Sequence, residues 1–330
     1  MRQEDFVARY QDEWRVLEQW LELRGGVRPG KRTDYVELDD LEFAGRYRRL
    51  CQQLAVAQRR GYSPLVLERL EQAMQRGHHV LYRPPTPRWR RLLDFFAAGF
   101  PRLVRQHQAY MWVSALLFFG PLLTMIALLQ WYPELVHSLF SAKELAQFQT
   151  MYDPSDEHHA LGREGGTNLQ MFGFYIFNNV SIAFQTFAGG LLGCVGAVYF
   201  LGFNGLYIGG VAGHLTAIGY GDPFWRFVSG HTGPELTAIV LAGGAGLRIG
   251  WALIAPGRLP RSRALVEAGR DGAQLAMGVF AMLVLAAFVE AYWSSIGWMP
   301  TWVKFSFGGT LWAAILYWLW RGGRGVSHAA

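Results

Sequence analysis

His231 and Glu235 stand four residues apart in GHTGPELTAIVLAGGAGLRIGWALI, residues 230–254. That interval puts two side chains one turn apart on a single helix face. Imidazole nitrogen and carboxylate oxygen are donors that zinc accepts, and the same pair can carry protons. A second acid, Glu290, interrupts another apolar run, LVLAAFVEAY, residues 283–292. An ionisable group inside an apolar span costs about 2.5–3.5 kcal/mol on insertion scales, so it needs a partner or a task. The other polar residues in such surroundings are Asn178, Asn179, Asn204, His214 and Arg248.

Two readings of this set stay open. In one, His231 caps its helix, Glu235 and Glu290 bond to Asn178, Asn179 or backbone amides, and the polar groups only hold the helices in register. In the other, His231, Glu235 and Glu290, joined by His214 as a fourth candidate, bind a divalent metal such as zinc or pass protons and cations through a cavity. Arg248 lies nearer the opposite end of its helix, from which it can snorkel to headgroups. The pair His158–His159 in an acidic stretch is a second metal candidate, or a solvated loop. HExxH, GxSxG and GxxxxGK[ST] are all absent from the sequence, which argues against the hydrolases and ATPases those patterns mark.

These residues must be positioned by helices in a membrane. Only 17% of the 330 residues are charged, against about 25% usually. The charges are also unevenly spread: residues 1–107 hold 20 Lys/Arg and 14 Asp/Glu, whereas 108–330 hold 11 and 11. The fold class expected is all-α, a polytopic membrane protein with about six transmembrane helices at 109–130, 181–201, 203–220, 235–255, 272–292 and 302–320. Spans of this length and apolarity match the bilayer core. Pro121 should kink the first span, FNG at 203–205 should turn between the second and third, and residues 171–185 read as a loop or a half-helix.

Four regions follow: a cytoplasmic helical domain at 1–81, a linker with an interfacial helix at 82–108, a transmembrane domain at 109–320 and a cytoplasmic tail at 321–330. Phe6, Tyr10, Trp14, Leu17 and Leu21 recur at helical spacing. Breaks at Gly25–Gly26 and Pro29–Gly30 precede helices expected at 34–60 and 64–76. The first 25 residues lack an apolar h-region, so no signal peptide is expected. Pro84, Pro85 and Pro87 stiffen the linker; Trp89, Phe95, Phe96 and Phe100 should face lipid, with Arg88, Arg90, Arg91, Arg102 and Arg105 at headgroup level. The segment 131–170 carries six acids against Lys143 and Arg163, while 255–272 has net charge +2. The positive-inside rule then puts both termini and each basic loop in the cytoplasm of a bacterial inner membrane. This arginine distribution is explained by orientation and anionic lipid, with no nucleic acid required.

Gly189–Gly193, Gly205–Gly209 and Gly246–Gly250 have the spacing of close helix contacts, and such faces suggest a homodimer. Cys51 and Cys194 fall in different compartments and should be free thiols.

FNNVSIAFQTFAGGLLG (177–193), GFNGLYIGGVAGHL (202–215), the 230–254 stretch and AAFVEAY (286–292) together resemble the stage II sporulation protein M family of integral membrane proteins. The resemblance covers about 170–292, and its His-Gly-x-x-Glu element corresponds to His231, Thr232, Gly233, Pro234 and Glu235, where Thr232 separates the His from the Gly. It implies a scaffold or assembly partner in cell-envelope processes, with envelope proteins, a MoxR-type AAA+ ATPase or von Willebrand A-domain proteins as partners. An ion or small-molecule transporter using the His/Glu cluster is the alternative, and an intramembrane metal-dependent enzyme the third.

Overall fold

The computed structural model describes residues 2–24, 40–81, 88–155 and 165–324. The breaks at 25–30, the start of the second helix at 34–39, the prolines at 84–87, His158–His159 and the tail beyond 324 lie outside the described residues. All regular structure among the described residues is helical, and it divides into two units, Met1–Pro87 and Arg88–Ala330.

The first unit comprises α1 (Gln3–Arg24), α2 (Asp40–Arg59) and α3 (Pro64–Leu81). Their apolar stripes meet in one core that includes Phe6, Trp14, Trp20, Leu50 and Leu70. Trp14 is buried yet keeps its polar group satisfied, donating through Nε1 to Gln53 Oε1 at 2.6 Å. Arg69 forms a two-point contact with Glu18, 2.8 and 2.9 Å; that hydrogen bond raises the guanidinium pKa. Helix α3 runs past the expected end at 76 because Gly77 does not break it. Gly77 instead lets the Tyr47 ring of α2 approach, where a Cβ would lie 2.6 Å from a ring carbon.

The second unit begins with α4 (Arg88–Asp94), a π-helical turn (Phe95–Gly99) and α5 (Phe100–Gln106). Trp89 is exposed as expected, but Phe100 is not lipid-facing. It is fully buried, stacks on Trp318 and fills the space left by Gly278. Nor do all the arginines reach outward: Arg105 donates to the carbonyls of Leu319 and Gly322, and Arg102 to that of Gly323. These are last-turn and following carbonyls of the final helix, which lack intrahelical donors.

Next come α6 (Gln108–Trp131, unbroken around Pro121), a short 3-10 turn, α7 (Ala142–Met151), α8 (Gly165–Ala188), α9 (Val195–Ala217), α10 (Gly221–Val228), α11 (Thr232–Ile254), α12 (Arg261–Phe288) continuing as a π-helical turn (Val289–Ser294), and α13 (Thr301–Arg321). Among the described residues, four helical stretches are long and apolar enough to cross a membrane: α6, α9, α11 and Arg261–Ser294. Helices α8 and α13 have 24 and 21 residues, but Asn178, Asn179 and Gln185 in one and four tryptophans in the other lower their mean hydropathy. Helix α11 is central: 78% of its apolar window is buried, against 28% for α6.

The second and third spans differ from expectation. Residues 171–185 belong to the long helix α8, and the chain turns at 189–194 rather than at 203–205. Gly193 and Cys194 are both left-handed, with φ of 62° and 71°. Only glycine takes that conformation without strain. At FNG the helix continues, and Asn204 donates to the Phe200 carbonyl one turn back, 2.7 Å. Apolar residues flank the true turn, so hydropathy runs through it without a dip.

The glycines pack backbone on backbone. Gly205 and Gly209 lie against the Phe118 and Leu122 carbonyls of α6, and Gly246 of α11 lies against Thr186 and Phe187 of α8. Gly190 meets Gly246, and Gly250 meets Cys194. Gly189–Gly193 is part of the turn and forms no helix face. The small-residue faces that suggested a homodimer are thus covered within one chain. Both cysteines are free.

Candidate functional site

Helix α11 starts immediately after His231. The Glu235 amide donates to the His231 carbonyl at 3.2 Å, so this first turn is closed and both side chains project to one side. The imidazole makes no capping bond, contrary to the expectation that it caps the helix. Its Nε2 instead lies 3.7 Å from Glu235 Oε2 and 4.0 Å from Glu290 Oε1. His231 and Glu290 are 4% and 8% exposed, so the group sits inside the protein.

Glu290 comes from the π turn that ends α12. Such turns insert an extra residue into the helical repeat and often occur at functional positions. This one directs Ser294 as well as Glu290 toward α11, and Ser294 Oγ lies 3.0 Å from His231 Nδ1. Gly230 makes room: a Cβ there would come within 3.3 Å of Ser294 Oγ and 3.1 Å of Trp293. Phe227 covers the imidazole, ring centroids 5.5 Å apart. Thr232, which separates His231 from Gly233, accepts from Trp312 Nε1 at 3.2 Å and ties the start of α11 to α13.

The three donor atoms lie within 4.8 Å of one another. At 3.7 and 4.0 Å the His–Glu separations exceed hydrogen-bond range. With bonds of about 2.1 Å, tetrahedral zinc would hold neighbouring donors about 3.4 Å apart. The two His–Glu edges are therefore a few tenths of an ångström wide for zinc, and the whole set, within 4.8 Å, must draw in around an ion. When Nδ1–H donates to Ser294, the Nε2 lone pair faces two carboxylates. That arrangement is repulsive until a cation or proton enters, and a second partner that fixes the ring in this way is the usual support of a ligating histidine. The residues present fit a divalent cation.

The remaining polar residues lie elsewhere. Asn178 donates to Asn179 at 3.0 Å, Asn204 is spent on its own helix, and His214 faces Gln149 of α7 at 3.4 Å. Arg248 stands near His107, whose ring meets Asp271 at 3.1 Å. Burial pushes the His107 pKa down and Arg248 adds to this, while Asp271 opposes both. His214 is thus no fourth member. Sequence reasoning missed Ser294 and Lys304. The spacing of Ser294, four residues after Glu290, was the available signal, but serine is too common for that spacing to stand out.

No curated protein and no solved structure matches this chain. Residues 4–83 match a domain of unknown function, DUF8413, which coincides with the first unit. The match to Stage II sporulation protein M runs from within α6 to just past the π turn, residues 114–295. It covers more than half of the 330 residues and contains His231, Glu235, Glu290 and Ser294. The protein is a membrane protein that belongs to the stage II sporulation protein M family.

Proposed function

We propose that the protein is an inner-membrane scaffold of the cell envelope whose helix bundle is clamped by one divalent cation, zinc by preference. His231 Nε2, Glu235 and Glu290 are its ligands. The carrying observation is the convergence of one imidazole and two carboxylates from α11 and the π turn within 4.8 Å, in a buried position. A cation there neutralises two carboxylates and links two helices that otherwise meet through weak packing forces. The scaffold role comes from family membership. Its partners would be envelope proteins, an AAA+ ATPase or von Willebrand A-domain proteins. In this reading α8 and α13 also cross, giving six crossings, with the first unit and the C-terminus in the cytoplasm.

Elemental analysis of the purified protein tests the clamp. About one zinc per chain is expected in the wild type, and almost none in a Glu235→Gln, Glu290→Gln double variant. Absence of Zn, Fe and Mn from both would end this reading. For the scaffold, a mild-detergent pull-down that repeatedly returns the chain alone would do the same.

A metal-dependent hydrolytic role is the second reading, favoured by the count of donors. Three protein ligands leave a coordination position open, as in catalytic rather than closed structural zinc sites.

A further inference from the structure

Beside the His/Glu/Glu group, on the far side of Ser294, several hydrogen-bond donors gather. Lys304, in the first turn of α13, is 4% exposed. Its Nζ donates to the Ser294 carbonyl at 2.9 Å, and no carboxylate lies within 4.0 Å of it among the described residues. Arg226 of α10 reaches the same short connection, donating through Nη2 to the Gly297 and Met299 carbonyls at 3.1 and 2.9 Å. Its acid neighbour is Asp222, 3.6 Å away on its own helix and largely exposed, which gives little charge compensation. Arg226 Nε is buried and has no acceptor, and so is the indole Nε1 of Trp293. Trp293 adjoins Ser294 in the chain, and its ring lies against Phe307, 4.5 Å between centroids, one turn on from Lys304.

A buried ammonium, a partly buried guanidinium and two unanswered N–H groups thus surround the stretch 293–299. Two cations in one place repel each other, and a buried charge without a counter-charge is costly. Neutral waters would satisfy the N–H groups but leave the charge. An anion with several acceptor oxygens would satisfy both. Phosphate is the best fit, since Arg and Lys bind its oxygens through charge-assisted hydrogen bonds.

We infer that Arg226, Lys304 and Trp293 form a binding site for a phosphate group at the end of the bundle where α13 begins. It is separate from the cation clamp: His231 of the clamp reaches Ser294 through its hydroxyl, whereas Lys304 holds its carbonyl. The group can come from a lipid headgroup or from free phosphate.

The test uses the full-length protein in neutral detergent. In one arm, inorganic phosphate is titrated and the melting temperature followed; in the other, native mass spectrometry counts retained phosphatidylglycerol. Binding in the first arm identifies free phosphate, retention in the second a headgroup, and either supports the site. Arg226→Gln should weaken the binding about tenfold or more, the usual effect of losing a charge-assisted hydrogen bond, while Lys304→Arg should preserve it. Zinc content should not change in Arg226→Gln, so failure here is distinguishable from failure of the clamp. No phosphate or phosphatidylglycerol bound by the wild type, or equal binding by Arg226→Gln, would overturn the inference.

Discussion

The two nitrogens of the His231 imidazole face different neighbours, and the Ser294 contact sorts them. Nδ1 is held at 3.0 Å by the serine hydroxyl, so Nε2 is the atom left to face Glu235 and Glu290. Without the hydroxyl the ring can rotate or change tautomer. Replacing Ser294 with Ala should weaken zinc binding by about 10–100-fold, the usual effect of losing an outer-sphere partner. Competition with a chromophoric chelator measures this; unchanged affinity would mean that the ring is held by packing against Phe227 alone. The three residues of the His/Glu/Glu group were legible in the sequence because acids and imidazoles stand out against apolar runs. Ser294 was not, and neither was Lys304, because a single lysine near a span end is ordinary and its burial arises only when α13 closes on the 293–299 stretch. In the first unit the periodic Trp14 was read correctly as helical. Its burial beside Gln53 adds that Trp14→Ala should cost about 3–5 kcal/mol, checked by chemical unfolding of the intact protein followed at tryptophan fluorescence. A loss under about 1 kcal/mol would contradict the core described.

Helix contacts in the second unit depend on where glycine lacks a side chain. Gly209 is pressed on the Leu122 backbone, whereas Gly202, on the same helix, has open space where its Cβ would be. Gly209→Leu should therefore destabilise the bundle, by about 1–3 kcal/mol or more, and Gly202→Leu should not. A thermal-shift comparison in one detergent decides it; equal melting temperatures would show that α6 and α9 do not pack as described. Glycine spacing in the sequence did reveal that close approaches exist. It did not reveal which were turns. Gly189–Gly193 and Gly205–Gly209 look alike as letters, but left-handed φ at Gly193 and Cys194 makes the first a reversal. Hydropathy cannot separate them, since LLGCVGAV is as apolar as the helices on either side. FNG looked like a turn because asparagine is common in turns, but in lipid-like surroundings its side chain bonds back to its own helix.

At the scale of the membrane unit, side-chain and backbone contacts sort the helix ends into two groups. Arg105 at the end of α5 meets the end of α13, His107 just before α6 meets Asp271 in the first half of α12, and Cys194 in the 189–194 turn meets Gly250 near the end of α11. Those three contacts share one end of the bundle. Gln130 with the Gly213 carbonyl, His214 with Gln149, and Arg226 with Gly297 belong to the other. The six crossings proposed above predict such an alternation; they include α8 and α13, whose asparagines and tryptophans lower mean hydropathy without shortening the helices. The first end carries Arg258, Arg261, Arg263, Arg321 and Arg324, and the second carries Glu134 and Glu144. In the proposed orientation, arginine retention keeps the first end in the cytoplasm. In a variant with Cys51 and Cys194 replaced by serine, a cysteine at Arg258 should react with an impermeant maleimide only after the cells are opened, and one at Ser138 should react in intact cells. Labelling of Arg258→Cys in intact cells would invert the bundle. It would carry the His231 group to the cytoplasmic leaflet, where the zinc-buffered cytoplasm rather than the outer compartment would have to load it.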